Sequence, residues 1–359
     1  MFSFRTTPIE EQLDRSLQEG RVACLCTQNC WDPSSGRYLY DIFRERGNLA
    51  KLFVPSGSEL SPETKHIDFS AEDLEGIDAV VVEIQDTGSR YFNYTRDVMR
   101  LLTMCARREE GPSVYIVDHI NPAGRVVEGT IPAVDSDIWT PKVAHRHGLT
   151  LGELCSLYCS EIGTRFPLHV ISALSSSARE ILPWVIAPAS DIPGMFTCEM
   201  YPGGGLWNNT SITPAIGTAR PYEYFGAPFI RCEDVRFLPV PEGVLMRPCT
   251  FMPAAGRYAG EECRGYQIML LPGAHYHSLL HTLQLMRYFA DHYSEFEMYD
   301  PLFVKLADPV IAEYLHGRLT FDVVQEHVKA EEQKWVRKAK RFVLYDDCLL
   351  YTSPSPRDA

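Results

Sequence analysis

The sequence predicts an α/β protein with a Rossmann-like, parallel-sheet domain over residues 1–165 and a second, mixed α/β domain over residues 166–347. Two observations predict the first domain: short apolar strands alternate with amphipathic helices, and each strand ends in polar residues. In addition, 359 residues with 45% hydrophobic content are enough for one large or two medium-sized domains. Ligands of parallel sheets bind beyond the carboxyl ends of the strands. We therefore expect a functional site along that edge.

Capping motifs and apolar runs define the elements of the first domain. Thr7 and Glu10 form a capping box that begins the first helix, and Gly20 ends it. A second capping box, formed by Thr150 and Glu153, begins the last helix. The predicted strands are 21–28, 49–55, 79–84 and 113–117, and the other helices are 36–46, 91–108 and 150–162.

The second half is less regular. Residues 200–230, MYPGGGLWNNTSITPAIGTARPYEYFGAPFI, fit neither helical nor strand periodicity. Ordering such a segment is costly, so it is either disordered or functional, and its aromatic content argues against disorder. We expect a loop segment over 184–228. The other expected elements are short strands near 229–240 and 266–271 and helices near 275–293 and 319–340.

The composition excludes several classes of function. A net charge of −13 argues against nonspecific nucleic-acid binding and against attraction to anionic lipid. No apolar run approaches the ~20 residues that span a bilayer, and the N-terminus lacks the pattern of a signal peptide. The 11 cysteines include no C-x-x-C pair, which favours buried, reduced thiols and a cytoplasmic location. No G-x-G-x-x-G follows the first strand, so we expect no nucleotide cofactor.

The last twelve residues, CLLYTSPSPRDA, are expected to lie outside the fold. Back-translated, they resemble a transposase sequencing adapter read through in frame. We therefore interpret residues 348–359 as a translated adapter and end the second domain at residue 347.

Several polar residues follow predicted strands or interrupt apolar stretches. Asp86, in VVVEIQDTGSRYFNY, either belongs to the site at the sheet edge or caps the helix that begins near Arg90. Asp118 and Asn121, in VDHINPAG, follow the fourth strand, and this position favours a functional loop. Glu128 stands alone in RVVEGT, either as a functional acid or as a surface acid of a β-hairpin.

The histidine and arginine motifs have two interpretations each. His145 and His147, in AHRHGLT, have no third ligand at a telling spacing, which favours a hydrogen-bonded site histidine over a metal pair. His277 lies four residues before a second histidine, but zinc is the minor alternative there, and we expect no metal site. Arg220, in GTARPYEYFGAP, either anchors an anionic group or pairs with Glu223.

Taken together, these stretches resemble the exo-β-N-acetylmuramidases of glycoside hydrolase family 171, long catalogued as domain of unknown function 1343. VVVEIQDTGSRYFNY is similar to the family's I-Q-D-x-G-x-R-Y-x-x-Y, and VDHINPAGRVVEGT to D-R-x-N-P-x-G-x-x-V-E-G-P. RHGLTLGEL matches R-H-G-M-T-I-G-E-L, and PASDIPGMFTCEMYPGGG follows P-S-P-N-M-P-x-x-x-T-A-x-x-Y-P-G. GTARPYEYFGAPFI follows G-T-T-R-P-F-E-x-x-G-A-P-W-I. The resemblance runs from about residue 20 to residue 345.

The resemblance implies an active-site cleft between the two domains and release of N-acetylmuramic acid from the non-reducing ends of peptidoglycan fragments. The expected ligand is thus a muramic-acid-containing sugar or muropeptide, with no cofactor. Residues 200–230 are expected to form one wall of the cleft. Glu128 and Asp86 are the surviving candidates for the catalytic carboxylates. The expected substrate-binding residues are Arg90, Asp118, Asn121, His147, Tyr201, Trp207, Asn208, Arg220 and Glu223.

Three acids that the family carries are replaced here. The second strand ends in VPSGS, with Ser56 and Gly57 where the family has Glu and His in A-P-E-H-G. In LWNNTSITPAIGT, Asn208 and Pro214 stand where L-F-E-G-T-N-x-S-E-G-R-G-T has Glu, and Ile216 replaces its Arg. An Asn or Ser side chain does not transfer a proton at neutral pH. Two interpretations therefore remain open: a glycosidase with a rebuilt carboxylate set, or a paralogue that binds amino sugars or muropeptides without hydrolysing them.

Overall fold

The computed structural model describes residues 15–32, 35–60, 70–133, 141–172 and 186–345. Its first domain is built on a five-stranded, fully parallel sheet with the order β4-β1-β5-β6-β7. The strands are β1 (Val22–Cys26), β4 (Leu49–Phe53), β5 (Ala79–Glu83), β6 (Ser113–Asp118) and β7 (Leu168–Ser172), and a short hairpin pairs β2 (Trp31–Asp32) with β3 (Arg37–Tyr38). The helices of this domain are α1 (Arg15–Glu19), α2 (Leu39–Arg46), α3 (Asn93–Ala106) and α4 (Leu151–Ile162).

The central strands are mostly apolar because both faces of the sheet are covered. All five residues of β1 and of β5 are buried. The helix α4 begins with the predicted capping box, in which Thr150 accepts from the Glu153 backbone N–H, and it ends at Gly163, which has φ 65°. The strand positions and the α/β fold class are thereby confirmed.

The second domain contains a three-stranded antiparallel sheet with the order β8-β10-β9. Five helices pack around it, and their shared core includes Phe225, Tyr266 and Phe289. The strands are β8 (Tyr224–Ala227), β9 (Val244–Phe251) and β10 (Cys263–Leu270). The helices are α5 (Met195–Gly204), α6 (Ser278–His292), α7 (Asp300–Leu306), α8 (Pro309–Leu315) and α9 (Phe321–Ala339).

Some expectations for the second half are wrong. The expected strand near 229–240 is replaced by a 3₁₀ helix, Cys232–Phe237, and the strand of this region is β9, further along the chain. Pro239 and Pro241 lie between the two, and proline cannot donate to a strand ladder. The segment 184–228 is also not one long loop, because α5 and β8 lie within it.

Two expectations are not tested by the described residues. The capping box at Thr7 and the tail 348–359 both lie outside them. The domain boundary at residue 165 stays a proposal. Because β7 pairs with β6 in the first sheet, we propose to draw that boundary after Ser172.

No helix of the described segments is long and apolar enough to cross a membrane.

Candidate active site

Two regions lie where the domains meet, and each contains residues that the sequence analysis singled out. The first, here called the interdomain cleft, has a volume of about 720 Å³. The first domain contributes residues 126–128 and Arg146 to its walls, and the second contributes α5 and the segment from Leu270 to His277. The second region, here called the Asp191 cluster, consists of Tyr94, Asp191, Tyr201, Asn208 and Tyr222.

Glu128 lies at the floor of the interdomain cleft, and its side chain is 1% exposed. Arg146 Nη1 donates to Glu128 Oε1 at 2.7 Å. Ser278 Oγ and the backbone N–H of Leu279 donate to Oε2, at 2.7 and 3.1 Å. Because Ser278 and Leu279 begin α6, a carboxylate of the first domain binds the N-terminus of a helix of the second. Glu128 therefore joins the two domains.

The groups around Glu128 keep it ionised. Burial alone would raise the pKa of Glu128, but the charges of His277 and Arg146 and the hydrogen bonds outweigh it, so this pKa lies below its usual range. His277 Nδ1 lies 3.4 Å from Glu128 Oε2, and His277 Nε2 lies 2.8 Å from Glu332 Oε1. Burial opposes the charge on His277, but these two carboxylates raise the pKa of the imidazole. An ionised, fully bonded Glu128 is unsuited to proton donation, so we propose a structural role for it.

Glu199 is the cleft residue that the sequence analysis missed. It lies on α5, lines the cleft, and among the described residues its carboxylate has no hydrogen-bond or ion-pair partner. Burial raises the pKa of Glu199, the charge of Glu128 raises it further, and Arg146 opposes both. No sequence motif identifies Glu199, because it faces the cleft only once α5 packs against the start of α6, which lies about 75 positions further along the chain.

A glycine permits that packing. A Cβ atom on Gly203 would lie 2.2 Å from the backbone oxygen of Ser278, so the two helices could not approach as closely with any other residue there. The Gly203 backbone N–H also donates to Ser278 Oγ at 3.1 Å. Gly203 thus sets the distance between Glu199 on α5 and the α6 N-terminus that Glu128 binds.

Asp86 and His147 form a buried pair within the first domain. Asp86 is 2% exposed, and its Oδ1 accepts from the Thr87 backbone N–H at 2.8 Å and from Thr95 Oγ1 at 2.7 Å. Asp86 Oδ2 lies 3.0 Å from His147 Nε2, with angles outside hydrogen-bond range. His147 Nδ1 accepts from the Leu149 backbone N–H at 3.2 Å. Thr95 belongs to α3, and neither carboxylate oxygen of Asp86 faces solvent. We therefore propose that Asp86 anchors this helix.

Asp118 and Asn121 also bind the protein itself. Asp118 accepts from the Gly152 backbone N–H, Thr150 Oγ1 and Tyr345 OH, at 2.8, 2.7 and 3.0 Å. Burial raises the pKa of Asp118 to about 6, although these hydrogen bonds lower it. Asn121 donates to the Leu149 backbone oxygen at 2.9 Å. The loop that was expected to be functional therefore holds the start of α4, and neither residue lines the interdomain cleft.

Arg90 joins the two domains through main-chain contacts. Its Nη1 donates to the backbone oxygens of Thr130 and Val143, at 2.7 and 3.2 Å, and its Nη2 to those of Lys305 and Leu306, at 2.9 and 2.7 Å. The last two oxygens belong to α7. We therefore propose a structural role for Arg90.

The Asp191 cluster brings together residues from both domains. Tyr222 OH donates to Asp191 Oδ2 at 2.8 Å, and the rings of Tyr201 and Tyr222 meet edge to face with centroids 4.7 Å apart. Burial raises the pKa of Tyr94 and of Tyr222, and the charge of Asp191 adds to both shifts. A hydrogen bond between the exposed Asn208 and Tyr222 opposes the rise in the pKa of this phenol, but does not cancel it. Two predicted binding residues, Tyr201 and Asn208, are thus close together.

The cluster also adjoins the position of the altered second-strand motif. A Cβ atom on Gly57 would lie 3.6 Å from Tyr94 OH. The charge of Glu59, which follows in the same segment, contributes to the raised pKa of Tyr94 after burial and Asp191. Glu59 and Asp191 are therefore two carboxylates near one buried phenol. The sequence signal for Asp191 was available, because PASDIP has Asp where the family motif has Asn.

The remaining predicted binding residues are divided between surface and core. Arg220 Nη1 donates to Glu223 Oε2 at 3.0 Å, and Thr197 Oγ1 donates to Glu223 Oε1 at 2.8 Å, so the neighbouring salt bridge is what forms. Trp207 is 1% exposed and stacks on Phe225 with ring centroids 5.0 Å apart. It therefore belongs to the core of the second domain, not to a sugar-binding wall, because both of its faces are covered.

Among the residues that the structure describes, no group of His, Cys, Asp or Glu side chains has the arrangement of a metal site. His145 instead lies against Arg90, with 3.0 Å between His145 Nε2 and Arg90 Nη2, and burial followed by the charge of Arg90 lowers the pKa of His145 well below its usual range. It also accepts a hydrogen bond from the Thr130 backbone N–H at 3.1 Å.

Two family models match the chain over most of its length. The N-terminal part of the exo-β-N-acetylmuramidase NamZ matches residues 63–187, and its C-terminal part matches residues 199–345. The chain belongs to the NamZ family. The peptidoglycan β-N-acetylmuramidase NamZ of Bacillus subtilis (strain 168) is 28% identical over 291 residues, which cover 76% of this chain and 69% of that protein.

Solved structures share the fold of this NamZ family member. Crystal structures of two DUF1343 family proteins from Bacteroides fragilis superpose on it with TM-scores of 0.78 and 0.72. Their sequences are 21% and 19% identical, and each match covers 94% of this chain and 97% of the other. The similarity therefore establishes the two-domain α/β fold.

Proposed function

We propose that this protein is a glycoside hydrolase that releases N-acetylmuramic acid from the non-reducing ends of peptidoglycan fragments, and that its active site is the Asp191 cluster. Membership in the NamZ family and the similarity to a peptidoglycan β-N-acetylmuramidase support the reaction class. The observation that carries the site is the convergence of Asp191, Glu59 and three tyrosines between the domains. Arg220, half exposed beside this cluster, is the proposed contact for the lactyl carboxylate of the sugar.

Hydrolysis of a glycosidic bond needs one carboxyl group that donates a proton and one carboxylate that assists water. In our proposal Glu59 protonates the glycosidic oxygen, and the bond from that oxygen to the anomeric carbon breaks. A water molecule adds its hydroxide to the anomeric carbon, and its proton goes to Asp191. The two products are the muramic acid and the shortened fragment. Tyr222 orients Asp191 through its hydroxyl hydrogen bond.

The test is release of 4-nitrophenol from 4-nitrophenyl N-acetyl-β-muramic acid. Asp191→Asn and Glu59→Gln should each lower kcat by about 10²-fold or more, since general acid–base catalysis contributes ~10²–10⁴-fold. Glu262→Gln is the matched control, because Glu262 is an exposed carboxylate of the second domain. Wild-type turnover in the Asp191→Asn variant would contradict the proposed site.

The alternative is a paralogue that binds the sugar without hydrolysing it, and the replacement of Glu by Ser56 and Asn208 favours it. The same assay separates the two functions. Absence of turnover combined with a melting temperature that N-acetylmuramic acid raises would support binding alone.

A further inference from the structure

The interdomain cleft continues into a second concave surface, here called the α9 groove, with a volume of about 470 Å³. Val127 lines both the cleft and the groove. Glu332, on the groove, accepts from the Gly129 backbone N–H at 2.8 Å, and its Oε1 lies 2.8 Å from Nε2 of His277, which lines the cleft. The two surfaces therefore share a wall, and one extended molecule can lie along both.

Unpaired charges of opposite sign lie in the cleft and in the groove. In the cleft, the Glu199 carboxylate has no partner among the described residues. In the groove, Lys329 and Arg337 make no ion pair with any described residue, whereas Arg125 is bound by Glu153 through Nη2 at 2.8 Å. The cleft thus offers one anion, and the groove offers two cations.

The spacing on α9 indicates that these two cations act on one ligand. Lys329, Gln333 and Arg337 follow each other at intervals of four residues, so they share one helix face and span about 12 Å. Two other lysines of this helix are engaged elsewhere, since Lys334 pairs with Glu331 and Lys338 with Glu161. A cationic face is unusual in a chain of net charge −13, and it attracts anionic groups.

Apolar side chains line the cleft beside Glu199. Val126 and Leu271 are 46% and 47% exposed, and Phe196, on α5, lines the same cleft. Such a surface accommodates an aliphatic chain, and the carboxylate beside it accommodates the ammonium group that ends the chain. An extended peptide advances about 3.3 Å per residue, so three or four residues match the length of the groove.

We propose that the interdomain cleft and the α9 groove together bind a short peptide that carries one side-chain ammonium group and two carboxylates. The ammonium group binds Glu199, and the carboxylates bind Lys329 and Arg337. None of these three residues belongs to the Asp191 cluster, so this site is separate from the proposed hydrolytic site and can be tested without turnover.

The experiment is isothermal titration calorimetry with N-acetyl-L-alanyl-γ-D-glutamyl-L-lysine, which has one ammonium group and two carboxylates. Two analogues complete the set, one with the lysine amine acetylated and one with both carboxylates amidated. We expect each analogue to bind the wild-type protein at least about threefold more weakly, because solvent-exposed ion pairs contribute modestly to binding.

The variants assign each charge of the peptide to its partner. Glu199→Gln should abolish the difference between the parent peptide and its acetylated analogue, while the difference from the amidated analogue persists. The double variant Lys329→Gln/Arg337→Gln should show the opposite pattern. The control, Lys334→Gln/Lys338→Gln, removes the same charge from the same helix and should bind like the wild type.

Three results would overturn the proposal: no binding of the parent peptide, equal affinity for all three peptides, or the same weakening by both double variants. The last would mean that the net charge of the protein, not the groove, attracts the peptide. None of these results bears on hydrolysis of the chromogenic muramic acid, so the failure of this proposal and that of the proposed function are distinguishable.

Discussion

Replacing Glu128 by glutamine tests whether this acid is structural or catalytic. Glu128→Gln preserves the shape of the side chain but removes its charge from a site where Arg146 is 5% exposed and the α6 N-terminus supplies two more donors. The amide oxygen can accept either from Arg146 or from the start of α6, but not from both. The amide nitrogen then faces the donor that has lost its acceptor. At least one buried donor, either the Arg146 guanidinium or the Leu279 backbone N–H, loses its acceptor.

Breaking a buried ion pair from one side typically costs about 3–5 kcal/mol, because the remaining charge stays buried without a partner. At roughly 2–4 °C per kcal/mol for domains of this size, Glu128→Gln should lower the melting temperature by about 10 °C. Glu199→Gln is the matched control. It changes the same chemical group at the same cleft, but Glu199 has no partner to lose, so the melting temperature should stay constant or rise.

The assay is thermal unfolding followed by circular dichroism at pH 7, with turnover of 4-nitrophenyl N-acetyl-β-muramic acid measured well below the transition. The structure predicts that Glu128→Gln lowers the melting temperature and retains turnover in proportion to its folded fraction. A Glu128→Gln protein with the wild-type melting temperature and no turnover would refute the structural role and restore the catalytic one.

Three further predictions concern the contacts around the interdomain cleft. The His277→Gln variant should be less stable than the wild type below about pH 6.5, and this difference should shrink as the pH rises through the raised pKa of His277, because the charges of Glu128 and Glu332 stabilise the protonated imidazole in the folded state. Unfolding curves over a pH series measure it. Gly203→Ala should lower the free energy of unfolding by about 1–3 kcal/mol, measured by chemical denaturation, since its methyl group would lie 2.2 Å from the Ser278 backbone oxygen. A variant as stable as the wild type would mean that the two helices move apart freely. Trp335→Phe removes the indole hydrogen bond of 2.8 Å to the His147 backbone oxygen and should cost about 1–2 kcal/mol by the same measurement, with the fold retained.

The first domain was predictable from the sequence because its signals are local. A strand such as β5, which begins with four apolar residues in a row, has to be buried on both faces, and the capping box at Thr150 uses atoms only three residues apart. The second domain was less predictable because its elements depend on distant partners. The helix α5 contains Pro202 and two glycines, which oppose helix formation locally, and it is stabilised by packing against α6.

The same distinction explains which site residues were found. An isolated acid such as Glu128 in an apolar stretch is a sign of burial, but its partners at Ser278 and Leu279 lie about 150 positions further along the chain. Sequence patterns therefore locate the acid, but its bonding partners become visible only in the fold. Trp207 was assigned to a sugar-binding wall because it lies among glycines and amides, yet its ring is covered by Phe225, which no local pattern reveals.

The altered family motifs have a physical interpretation in the Asp191 cluster. The missing Glu and His of the second strand leave Ser56 and Gly57 beside Tyr94, and the same phenol is close enough to Asp191 and Glu59 for both charges to raise its pKa. A site that had only lost its acids would be expected to lose charge at this position. Here two carboxylates remain within electrostatic reach of the Tyr94 phenol, and one of them, Asp191, stands where the family motif has a neutral amide. The substitutions therefore redistribute the carboxylates of the cleft, which is why we favour a rebuilt hydrolytic site over one that only binds sugar.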